Sequence, residues 1–267
     1  MEEWQTGRLG EFVERPVRSD LGVSVALDSG GGDAPPLIAF PGAGFPAVML
    51  AARLAPLARG RRLLVVEAPG NPGLGLTTSP DPHSDDLATW AEVLLDALDV
   101  EKADLFGHSS GGWAALRIAW ERSDRVRRMV LAAPAGIVRS RTPLRLVLRS
   151  FRWRFRRDET GARRVIRAVS GEDEPDPDLV AWTTLLARHA RMTPPPRTLP
   201  PPVLRAVEHP VLVMVGERDP VFPARSLTAA SRKHLPGARV EVVPGAGHVL
   251  PIEAPSAVVA AAGSFLA

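Results

Sequence analysis

Ser109 stands at the centre of Gly107-His108-Ser109-Ser110-Gly111, a G-x-S-x-G pattern between the apolar run DLFG (104–107) and the helical stretch GWAALRIAWER. Those residue types at that spacing suit a serine nucleophile. A sharp strand-to-helix turn lifts the hydroxyl above a sheet, and the two glycines let strand and helix pass closely. The amide of Ser110 then lies at the helix N-terminus, where an anion is stabilised. Composition alone would produce the pattern roughly 0.1 times in such a chain, so the strand–turn–helix context carries the weight. The plainer reading is a serine capping a helix.

A serine nucleophile needs a base, and the base needs an orienting acid. The run VLVMV (211–215) ends in Gly216-Glu217-Arg218-Asp219-Pro220, and VEVV (240–243) ends in Pro244-Gly245-Ala246-Gly247-His248. The chain order Ser109, Asp219, His248 is the one that this kind of turn predicts. Glu217 is the rival acid, and motif position favours Asp219. The run LAAPAG offers no carboxylate. His108 neighbours the nucleophile and is expected to support the turn, whereas His83, His189, His209 and His234 have no strand-end setting. Two amides should face a developing oxyanion. One is Ser110 N–H and the other is assigned to Ala43, in the small-residue loop Pro41-Gly42-Ala43-Gly44-Phe45.

These groups must be carried on strand ends. LIAF (37–40), LLVVE (63–67), 104–107, VRRMVLAA (126–133), 211–215 and 240–243 read as strands, mostly continuous apolar runs as in a sheet buried on both faces. Val23, Val25 and Leu27 alternate with smaller residues and suit an earlier, more exposed edge strand. Helical stretches fall near 46–59, 85–98, 111–122, 225–235 and 255–266. Strands alternating with helices imply an α/β fold, a mostly parallel sheet with helices on both faces. From about Arg139 to Val207 the alternation stops. An arginine-rich helical stretch, an acidic turn (GEDEPDPD, 171–178), a helix near 179–191 and a proline-rich return (194–202) follow one another. The expected organisation is a core of 1–138 and 208–267 with a helical cap, 139–207, over the C-terminal edge of the sheet.

With LIAFPGAG, GHSSGG, VGERDPVFP and PGAGHVLPIEAP in place, the chain resembles the α/β-hydrolase superfamily in its lid-bearing branch, over nearly its whole length. The resemblance implies an eight-stranded, mostly parallel sheet with a cap between the sixth and seventh strands. It also implies acyl-enzyme chemistry with Ser109 as nucleophile, His248 as base and Asp219 as acid. Two departures stand out. Pro41-Gly42 replaces the usual His-Gly, and Glu67-Ala68-Pro69-Gly70-Asn71-Pro72-Gly73 replaces Asp-x-x-Gly-x-Gly. The Phe-Pro-x-Ala-Gly form resembles that of stand-alone thioesterases serving polyketide and peptide synthases.

Composition narrows the rest. With no cysteine in 267 residues, thiolate nucleophiles and thiolate-bound zinc or iron–sulfur sites are excluded. No metal-ligand spacing and no dinucleotide fingerprint appear, so no cofactor or metal is expected. No apolar run is long enough to span a membrane, the first twenty residues hold no apolar core of signal-peptide length, and the expected location is cytoplasmic. The net charge of +3 hides an asymmetry. Residues 139–167 hold eleven arginines against Asp158 and Glu159, leaving the remainder at about −6. Arg145, Arg149, Arg152 and Arg156 form one helical ridge beside Leu144, Leu148, Phe151 and Phe155. They are either a solvated face, or a cationic gate for an acidic or carrier-tethered substrate, or a membrane-surface contact. Nucleic acid is not expected, since no stacking platform accompanies the charge.

The expected reaction is hydrolysis of a small-molecule carboxylic ester or thioester, with Phe45, Trp113, Phe151 and Trp153 as candidates to line the substrate pocket. The alternative is a non-hydrolytic enzyme of the same fold, namely a lyase, acyltransferase or cyclase.

Overall fold

A computed structural model describes residues 3, 7–8, 10–74, 80–81, 84–141, 157–190 and 196–267. Eight strands form one sheet: β1 (Val13–Ser19), β2 (Gly22–Asp28), β3 (Ala34–Phe40), β4 (Arg61–Val66), β5 (Ala103–His108), β6 (Val126–Ala132), β7 (Val211–Gly216) and β8 (Arg239–Val243). Their spatial order is β1-β2-β4-β3-β5-β6-β7-β8, and β2 runs antiparallel to both of its neighbours. All other pairings are parallel. The expected eight-stranded, mostly parallel α/β architecture is therefore present.

The helices are α1 (Ala47–Leu54), α2 (Asp86–Ala97), α3 (Ser110–Glu121), α4 (Glu159–Val169), α5 (Pro177–His189), α6 (Pro201–Arg205), α7 (Ala224–His234), α8 (Leu250–Glu253) and α9 (Pro255–Leu266). Successive strand residues point to opposite faces, and each face has its own core. Ile38, Leu64, Met129, Leu131, Val213 and Val215 pack on one side with α2, α3 and α7. Leu37, Leu63, Val130, Leu212 and Met214 pack on the other with α1, α8 and α9, together with Ala162, Ile166, Leu179 and Val180 of α4 and α5. Apolar burial on both faces explains why the strands read as continuous hydrophobic runs.

One expectation is corrected. The strand anticipated at Val23–Leu27 is not an edge, because β1 pairs along its whole length, from Val13 opposite Asp28 to Ser19 opposite Gly22. β1 escapes pattern reading because it carries Glu14, Arg15, Pro16 and Arg18 and buries only Val17. That is the composition of a protected outer strand, where charge and proline discourage further pairing.

Between β6 and β7 the described residues form α4, α5 and α6 and contain no strand. Asp158 caps α4 by accepting the Gly161 amide, 2.8 Å away. The acidic turn ends as a cap too, since Asp176 accepts the amides of Asp178 and Leu179 at 2.9 and 3.1 Å. Arg53 of α1 ties down the same carboxylate at 2.6 Å. Of the arginine stretch, Arg157, Arg164 and Arg167 are exposed, and Arg167 pairs with Glu174. The ridge from Arg145 to Arg156 lies outside the described residues, as do Phe151 and Trp153. Among the described residues no helix is long and apolar enough to cross a membrane.

Candidate active site

Register brings the chemistry-bearing loops to one edge of the sheet. Phe40 lies beside Gly107, His108 beside Ala132, and Gly216 beside Val243. The chain after β3, β5, β7 and β8 therefore emerges at the same end.

Ser109 occupies a left-handed backbone conformation, φ 52° and ψ −115°, which costs a non-glycine residue of order 1–3 kcal/mol. The surroundings enforce it. Its amide donates to Ala132 O at 3.0 Å, and its carbonyl accepts from Gly112 and Ala135 at 3.0 and 2.9 Å. The two motif glycines are sterically required. A Cβ on Gly107 would come within 2.6 Å of Gly111 O, and one on Gly111 would overlap Phe40 O.

Above this turn a line of hydrogen-bonding groups runs inward. His248 Nε2 is 3.0 Å from Ser109 Oγ, and His248 Nδ1 is 3.0 Å from Asp219 Oδ2. The other carboxylate oxygen of Asp219 accepts the amides of Val221 and Phe222 at 2.7 and 2.9 Å. Asp219 and His248 are 4% and 9% exposed, while Ser109 is more open. An ionised acceptor at Nδ1 keeps the proton on that nitrogen and leaves Nε2 free to take one from the serine. Glu217 points elsewhere, accepting the Gly245 amide at 2.8 Å.

His108 is buried and does not face the serine hydroxyl. Its Nε2 lies 3.1 Å from His248 O, and its ring packs edge-on against Phe45. Burial, reinforced by the neighbouring His248, pushes its pKa down to about 3. It is therefore a neutral ring that donates to the His248 carbonyl. Phe45, 5% exposed, is held under the site by this contact.

The loop after β3 passes directly over the turn. A Cβ on Gly42 would approach His108 Nδ1 to 2.8 Å and Ser109 Cβ to 3.1 Å. Gly42 is thus needed for close approach, whichever residue precedes it. Phe45 N–H closes the turn onto Gly42 O at 3.0 Å, which leaves Ala43 exposed at its tip. Two contacts that the sequence does not advertise hold this loop. Trp182 of α5 donates to Gly44 O at 3.0 Å. Buried Glu67, at the end of β4, accepts the amides of Ala47 and Leu74 at 3.0 and 2.5 Å. The Glu67 departure noted above is therefore a structural brace.

A cavity of about 950 Å³ opens at Ser110 and follows α3 past Trp113 and Arg117. Ala68, Leu87, Leu199 and Val203 supply much of its apolar wall. Trp113 lines it and Phe45 does not. The Arg117 guanidinium stacks on Trp113 and Trp120, 5.4 and 5.8 Å from the ring centroids, and bonds Ser84 O at 2.9 Å. Among the described residues no three His, Asp or Glu side chains gather as metal ligands.

The model of the alpha/beta hydrolase family matches residues 37–262. A carboxylesterase of Bacillus subtilis, YbfK, is 26% identical over 94% of this chain and 86% of its own length. A 2-hydroxymuconate semialdehyde hydrolase of a Pseudomonas species is 30% identical over 79% of this chain and 78% of its own. The crystal structure of naproxen esterase from Bacillus subtilis superposes with a TM-score of 0.84 at 20% identity, covering 99% of this chain and 96% of that one.

Proposed function

The chain belongs to the alpha/beta hydrolase family, and on that premise we propose that it hydrolyses small-molecule carboxylic esters or thioesters through an acyl-enzyme formed on Ser109. The observation that carries this reading is the line Ser109 Oγ, His248 Nε2, His248 Nδ1, Asp219 Oδ2, with 3.0 Å at each contact. His248 takes the hydroxyl proton as Oγ attacks the acyl carbon, then gives it to the departing alcohol or thiol. Asp219 holds the ring in the productive tautomer and stabilises the imidazolium. The amides of Ser110 and Ala43 receive the oxyanion, a contribution of about 3 kcal/mol for each donor. Water, activated by His248, then releases the acid.

The position of Ser110 at the start of α3 and the close passage of Gly42 over Ser109 support the two donors. The carboxylesterase relative supports the substrate class. In this reading the segment 139–207 acts as the cap, and the cavity beside Trp113 takes one arm of the substrate. Replacing Ser109 by Ala tests the proposal. Turnover of p-nitrophenyl esters and labelling by a fluorophosphonate should both disappear, and labelling that survived would overturn it.

The semialdehyde hydrolase relative favours a second reading, hydrolysis of a compound like 2-hydroxymuconate semialdehyde on the same residues. Turnover of that compound without ester turnover would select it.

A further inference from the structure

His248 sits on a loop, Gly245–Val249, that contains two glycines and leads straight into the short helix α8. Such a loop needs external support if an imidazole is to stay within hydrogen-bond reach of Ser109. Part of the support comes from its own backbone. The His248 amide donates to Val169 O, the last residue of α4, at 2.9 Å, and His108 holds the His248 carbonyl.

The amides on either side of His248 converge on one side chain. Glu253 Oε2 accepts Gly247 N–H at 2.6 Å, and Oε1 accepts Val249 N–H at 2.7 Å. Oε2 also accepts Gly171 N–H at 2.6 Å, from the turn that follows α4. The packing that allows this is tight. A Cβ on Gly247 would overlap the backbone of Ser170 and Gly171, and one on Gly171 would approach Gly245 O to 2.7 Å. Two backbones thus meet at paired glycines with a carboxylate set between them.

We infer that Glu253 is a positioning residue that clamps the His248 loop to the turn after α4, so that placement of the base depends on the seating of the β6–β7 segment. This rests on the reading of Ser109 and His248 given above. Glu253 touches none of the reacting atoms and acts only through the flanking amides. An anionic acceptor suits three convergent donors, because hydrogen bonds to a charged group are stronger than neutral ones. A neutral amide cannot accept at both of its terminal atoms.

The test uses the full-length protein and two variants. In Glu253→Gln the carbonyl oxygen can keep Gly171 and Gly247, while the NH2 group faces Val249 N–H. Amide hydrogen exchange followed by NMR should then rise about tenfold or more at Val249 and stay near wild type at the two glycines. In Glu253→Ala all three amides should exchange faster. For p-nitrophenyl acetate, kcat and kcat/KM should fall together, about tenfold in the Gln variant and about a hundredfold in the Ala variant, with KM within about twofold. The Gln variant keeps the test open should the Ala variant not fold. Unchanged exchange at these amides would overturn the clamp. Faster exchange with kcat/KM within twofold of wild type would overturn its positioning role. Failure of the hydrolase reading is seen separately, as a wild-type protein that a fluorophosphonate does not label at Ser109. Amide exchange alone then decides the clamp.

Discussion

Replacing Asp219 by Asn tests the logic of the site with little change of shape. The side chain is fully buried, so no water can substitute for what is lost. One oxygen of Asp219 accepts two amides, Val221 and Phe222, at 2.7 and 2.9 Å. An asparagine must keep its single carbonyl oxygen there, because turning the NH2 toward two buried N–H groups would leave donors facing donors. The NH2 is then directed at His248 Nδ1. That nitrogen has to become the acceptor, which moves the ring proton to Nε2, 3.0 Å from Ser109 Oγ. Nε2 can no longer take the serine proton. The fold should survive while kcat falls by about 10⁴, equivalent to ~5.4 kcal/mol of transition-state stabilisation. Steady-state hydrolysis of p-nitrophenyl acetate, with urea unfolding in parallel, measures both. A variant folded like wild type and within tenfold of its kcat would refute the tautomer argument, and Glu217 would then have to be reconsidered as the acid.

Other consequences follow from the same geometry. Gly111→Ala forces a methyl group into Phe40 O and should cost about 1–3 kcal/mol in urea unfolding as well as activity. Trp182→Phe removes the donor to Gly44 O and should lower stability by about 1 kcal/mol, read from the urea midpoint at unchanged slope. His108 has a folded pKa of about 3 against 6.5 ordinarily, so the unfolded chain binds the extra proton between those values. The stability His108 contributes is then complete above pH 6.5 and is lost as pH falls toward about 3, at up to ~1.4 kcal/mol per pH unit. The pH dependence of unfolding in His108→Gln should be shallower across that window. An equal slope would show that another group is responsible.

The groups with chemistry were legible in the sequence because each sits in a short loop directly after an apolar strand, and a parallel sheet aligns all such loops at one edge. Ser109, Asp219 and His248 could be chosen on that ground, and they do meet. What stayed hidden has a common cause. Glu253, Glu67 and Trp182 act on main-chain amides or carbonyls, and such partners leave no side-chain pattern to read. Trp182 and Gly44 are also 138 positions apart in the chain. An acid shortly after His248, just ahead of the helix that begins at Pro255, is the one available signal for Glu253. β1 eludes pattern reading for the opposite reason. Its sequence is shaped by its exposed outer position and only weakly by a core. Phe45 reads as a lining candidate from its place in the β3 loop, and its ring packs on His108.

In the proposed reaction, acyl transfer passes through Ser109. Mixing the protein with excess p-nitrophenyl acetate, quenching in acid within the first turnovers, and mapping the peptides by mass spectrometry tests it directly. A single acetyl group is expected on the peptide carrying Ser109, absent from Ser109→Ala. Acetylation at another residue, or undiminished turnover by Ser109→Ala, would contradict it.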